Sequence, residues 1–100
     1  MKILSTREMF RLYRLVGNHL PDSVGEDFLV DFIGTIINSM VNKGQLTNYI
    51  DAIMLMSGKS LEELKGMKPE ELIKIFAEGL ADNKIFSFRN FLESVEFNNG

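Results

Sequence analysis

The chain of 100 residues contains no cysteine. Disulfide frameworks and the small secreted folds that depend on them are therefore excluded, and a cytoplasmic setting is the expectation. His19 is the only histidine. No histidine pair can hold a metal and no histidine–cysteine triad can form, so the expectation is a protein with no enzyme activity, no cofactor and no metal. Long apolar runs are missing too. Nothing approaches the roughly 18 uninterrupted apolar residues of a membrane span, and the island at Ile3-Leu4 is too short for the apolar part of a signal peptide. No segment alternates with period two, no repeat recurs, and no linker rich in glycine or proline divides the chain. With 45% hydrophobic and 25% charged residues, the expectation is an all-α, compact single domain of five to six helices spanning residues 1–100.

What is present is mostly helix punctuation. Ser5 with Glu8 forms a capping box, in which the hydroxyl accepts an orphan amide and the carboxylate reaches back to the cap amide. The spacing predicts a first helix over about residues 6–20, ended by Pro21. Met9, Leu12, Tyr13, Val16 and Leu20 fall on one side of it, with Arg7, Arg11, Arg14 and Asn18 opposite. Lys2 and these three arginines meet only Glu8 in the first twenty residues, a local excess of base in a chain of net charge −3.

A second helix is predicted over about residues 23–43. Phe28, Phe32, Ile36 and Met40 form one i, i+4 row, and Leu29, Ile33, Ile37 and Val41 another. Because four residues overshoot the helical turn, the rows drift by about 40° per step and the apolar arc widens to roughly 220°. Such a helix is either the central post of the fold or partly an interface. Gly44 stops it. Thr47 is the expected cap of a third helix over about residues 48–57, carrying Tyr49, Ile50, Ile53, Met54 and Met56 and stopped by Gly58. Ser60 and Glu63 form a second capping box, opening a short helix that ends near Gly66. Pro69 occupies the first position of the next helix, about residues 69–81, where its missing amide costs nothing; Leu72, Ile73, Phe76 and Leu80 are its expected core face. A last helix, about residues 84–96, bears Ile85, Phe86, Phe88, Phe91, Leu92 and Val95.

Motifs with chemistry are few. Gly58-Lys59-Ser60 matches the end of a phosphate-binding loop, but that motif needs a glycine where Ile53 stands, and a turn between helices accounts for the glycine. Glu62-Glu63 and Glu70-Glu71 lie in first helical turns, where negative charge complements the dipole. His19 is expected to complement the carbonyl end of the first helix. A helix-turn-helix would have to use the short helix around Leu61 and would aim Glu70 and Glu71 at DNA, which disfavours nucleic-acid binding; a small helical DNA-binding regulator is the alternative function. The arginines of the first helix can still meet an acidic partner. Phe86, Phe88, Phe91 and Phe97 crowd the last fifteen positions. Phe88 and Phe91 can share a face while Phe86 lies well round from Phe91, so the group either closes the core or anchors a partner.

Thr6-Arg7-Glu8-Met9-Phe10-Arg11-Leu12, then a longer apolar helix, then Ile53-Met54-Leu55-Met56-Ser57-Gly58-Lys59-Ser60-Leu61-Glu62-Glu63-Leu64, then Pro69-Glu70-Glu71-Leu72-Ile73 and a phenylalanine-rich end: this order resembles the tail assembly chaperones of long-tailed bacteriophages. The resemblance spans nearly the whole chain and rests on pattern and size. It implies a small non-enzymatic protein of the host bacterial cytoplasm, missing from the finished virion. Such a protein binds the tape-measure protein and keeps it soluble while tail tube protein assembles around it. This chain would be the short form in families that also make a longer, frameshifted one. Partner-binding residues would be Phe86, Phe88 and Phe91 with Arg7, Arg11 and Arg14, and a homo-oligomer stays open.

Overall fold

The computed structural model describes residues 2–22 and 29–99, and among them every regular element is helical. The first capping box forms: the Glu8 amide donates to Ser5 Oγ at 3.3 Å and the Ser5 amide to Glu8 Oε1 at 3.0 Å, starting α1 (Thr6–Val16). A 3₁₀ turn, Gly17–His19, follows. Then come α2 (Leu29–Asn42), α3 (Leu46–Ser57), α4 (Leu61–Lys65), α5 (Pro69–Asp82) and α6 (Ile85–Asn99). Gly44 and Gly58 take the left-handed conformation expected of stops, at φ 69° and 73°. Ser60 and Glu63 complete the second box and Pro69 opens α5.

The core gathers Leu12, Val16, Ile36, Met40, Ile53, Met56, Phe76, Leu80, Ile85 and Phe86, all essentially sealed from solvent. Its hub is α3, which packs against α1, α2 and α5. Of the two readings of the second helix, central post or partly an interface, its described side chains favour the second. Of its described apolar positions, Ile33, Ile36 and Met40 are buried, Phe32 and Ile37 are half-buried, and Val41 is 52% exposed. The drift that widens the apolar arc carries its far edge out of the contact instead of bringing in another neighbour. Residues 23–28, with the Phe28 position, and the side chains of Leu29 and Phe97 lie outside the described residues.

A close approach joins α5 to α3. At Gly79 a β-carbon would come within 2.6 Å of Met56 Sδ, so the missing side chain lets α5 press onto α3. Gly79 thereby joins Phe76 and Leu80 in the buried stripe, while Ile73, expected in the core, is 41% exposed.

Three polar side chains stitch distant segments. Asn83, between α5 and α6, accepts the Leu4 amide at 2.8 Å through Oδ1 and donates through Nδ2 to the Lys2 and Gly79 carbonyls. His19 is buried, with Nε2 at 2.7 Å from Gln45 Oε1 and Nδ1 at 2.8 Å from Ser39 Oγ. It therefore ties the 3₁₀ turn to α2 and to the start of α3, which replaces its expected role at a helix dipole. The same bond occupies the Gln45 side chain, so α3 starts at Leu46 without a side-chain cap and Thr47 lies inside it. Asn48 Nδ2 donates to the Leu15 carbonyl, fixing α3 on α1. The last helix starts at Ile85, one residue later than expected, because Lys84 turns the chain at φ 51°. A radius of gyration of 13.3 Å is that of one folded body, close to the roughly 13 Å of a 100-residue domain.

Candidate functional site

The exposed side of α1 is the richest surface of the described molecule. Its core stripe is Met9, Leu12 and Val16. Phe10 and Tyr13, three residues apart, are displaced to one flank, while Arg7, Arg11 and Arg14 are exposed on the side opposite the core stripe.

On the aromatic flank α1 meets α6. The Phe88 ring stands edge-on to Phe10 at 5.4 Å and to Tyr13 at 6.0 Å, and reaches Phe91 at 6.5 Å. Edge-to-face contacts of this kind hold rings in fixed relative orientation. Phe88 is half-buried as the keystone, whereas Phe91 is 60% exposed and Phe10 45%. With Tyr13, Leu92, Glu93 and Val95, the outer rings line a groove of about 430 Å³.

The predicted aromatic set therefore divides. Phe91 is exposed, and Phe88 is half-buried, packed against the core from its edge. Phe86 is only 1% exposed and belongs to the core, since it lies on the side of α6 turned away from Phe91. The Arg89 guanidinium lies over the Phe86 ring at 5.0 Å, donates to the Pro21 carbonyl at 2.6 Å and places Nε 3.9 Å from Glu93 Oε1. Sequence reading passed over both Phe10 and Arg89. Phe10 carried a usable signal in its three-residue offset from Tyr13. Arg89 carried none, because its partners are a distant backbone carbonyl and a ring.

On the opposite flank, Arg11 and Arg14 continue into a cleft of about 560 Å³ between α1 and α3, lined also by Leu15, Asp51, Met54, Leu55, Gly58 and Lys59. A further hollow of about 500 Å³ over Arg7, Phe10, Arg11 and Arg14 joins the two sides. Four cations are paired, Lys2 with Glu8, Lys65 with Glu62, Lys74 with Glu78 and Arg89 with Glu93, while Lys43, Lys68 and Lys84 on other faces are in no ion pair among the described residues. Arg7, Arg11, Arg14 and Lys59 have no carboxylate within ion-pair distance among the described residues. No group of histidine, cysteine or carboxylate side chains among the described residues has the arrangement of a metal site, and no described helix is long and apolar enough to cross a membrane.

The arrangement can bind apolar side chains and attract negative charge. No protein family, characterised protein or solved structure matches the chain.

Proposed function

We propose that this chain is a non-enzymatic phage tail assembly chaperone, which binds the tape-measure protein in the host bacterial cytoplasm and assists assembly of tail tube protein around it. The observation that carries the reading is the preassembled aromatic edge of Phe10, Phe88 and Phe91, left open between α1 and α6. Contiguous exposed aromatics on a small domain mark a contact surface. A long helical tape-measure protein needs its apolar stripes covered before the tube encloses it, and a helical holding partner can supply a matching groove.

The test is co-expression with the tape-measure protein that this reading requires to be encoded near this chain's own reading frame. Wild type should keep that protein in the soluble fraction, and a Phe88→Ser, Phe91→Ser double variant, shown by circular dichroism to be folded, should lose most of this effect. A tape-measure protein that precipitates equally with and without the wild-type chain would end the reading. A folded double variant that protects as well as wild type would return both rings to a purely structural role.

A further inference from the structure

The aromatic groove and the unpaired cations are parts of one surface. Phe10 borders both the groove beside α6 and the hollow over the arginines, while Arg11 and Arg14 border both that hollow and the cleft beside α3. We propose that this surface seats an acidic amphipathic helix of a partner protein, with its apolar side chains in the Phe10–Phe91–Val95 groove and its flanking carboxylates on Arg11, Arg14 and Lys59. The proposal deepens the chaperone reading, resting on it only for which protein carries the helix.

Three observations select this occupant. First, the groove runs between two helices, and no strand edge exists among the described residues to receive an extended peptide. Its outer residues Phe91 and Val95 are one helical turn apart and 60% and 40% exposed, which suits side chains presented at i, i+3 and i+4.

Second, the cationic excess is local. The chain as a whole has net charge −3, yet Arg7, Arg11 and Arg14 of α1 are in no ion pair among the described residues, and Lys59 adds a fourth positive charge to a cleft in which Asp51 is the lining carboxylate. Facing carboxylates would neutralise that excess, and the arginines, already near apolar walls from Leu15, Met54 and Leu55, would bind them partly shielded from water.

Third, the same charge argues against a second copy of this chain on this face. A two-fold contact with its axis through the α1 arginines would set those of one copy against those of the other. DNA matches the charge but not the apolar groove, and it becomes an outcome of the test.

Fluorescence anisotropy with the full chain decides between them. The probes are a helical peptide of about 20 residues, roughly 30 Å long, with a leucine stripe flanked by glutamates; the same peptide with lysine at each glutamate; and a mixed-sequence DNA duplex. The glutamate peptide should bind about tenfold or more tightly than the lysine peptide. The preference should shrink as salt approaches 1 M, where the screening length is about 3 Å. Arg11→Glu with Arg14→Glu should weaken the glutamate peptide about tenfold, and Phe91→Ser should weaken both peptides. Should the double reversal not fold, Lys59→Glu, on a different segment, repeats the charge test.

Equal binding of the two peptides, indifference to charge reversal, or binding of DNA alone would overturn the proposal. Because neither peptide contains tape-measure sequence, such a failure leaves the chaperone reading to its own co-expression test. Selective binding of the glutamate peptide by a chain that fails to protect the tape-measure protein would keep the docking surface and remove the chaperone identity.

Discussion

Phe76 and Phe91 have the same side chain, sit in helices of similar length and meet opposite surroundings. Phe76 is fully buried on α5, edge-on to Tyr49 of α3 at 4.9 Å, where Gly79 lets the two helices close. Phe91 is 60% exposed, and its ring neighbour is Phe88 of its own helix at 6.5 Å. The difference lies in what stands opposite. Helix α5 is packed by both α2 and α3, whereas α6 enters the core through Ile85 and Phe86 and then runs along α1 with its outer face exposed among the described residues. Burial therefore depends less on a residue's hydrophobicity than on whether a second element covers it, and an aromatic left uncovered beside unpaired charge is available for binding.

The largest effect expected is at the covered end. Phe76→Ala should cost about 3–5 kcal/mol by leaving a cavity that α3 and α5 cannot collapse around. Urea denaturation measures it, and a loss below about 1 kcal/mol would mean that the α3–α5 contact is loose.

An intermediate effect concerns the capped helix start that presents Phe10. Glu8 is held down to about 2, first by the hydrogen bond donated from the Ser5 amide and then by Lys2; Glu63 is lowered in the same way by Ser60. A depressed carboxylate contributes stability that is present above its unfolded value of about 4.5 and is lost as pH falls toward its folded value. The melting temperature should therefore decline between about pH 4.5 and pH 2. Replacing Glu8 and Glu63 by glutamine should flatten that decline, and an unchanged slope would show that other carboxylates control acid unfolding.

The smallest effect is expected at the open end. Phe91→Ser should change stability by no more than about 0.5 kcal/mol, as at other exposed positions. A loss comparable to that of Phe76→Ala would erase the contrast and place Phe91 in the core.

Much of this organisation was legible from the chain. Both capping boxes, the glycine stops and the proline start are local devices whose partners lie within four residues, so their spacing suffices. The all-α class followed from the 3.6-residue periodicity for the same reason. The candidate site was half legible. The arginine row and the Phe88–Phe91 pair follow from helical phase, but the burial of Phe86 and the place of Phe10 depend on where α6 crosses α1.

Sequence by itself determined where helices begin and stop, because capping, left-handed turns and helical periodicity are short-range physics. Only the tertiary structure decided that α3 is the hub, that His19 and Asn83 are bridges, and that Arg89 is buried while Arg11 and Arg14 stay unpaired among the described residues. Those outcomes depend on contacts between residues up to 81 positions apart, such as Asn83 with the Lys2 carbonyl. Periodicity names the apolar face of a helix, and only packing settles how much of that face is covered.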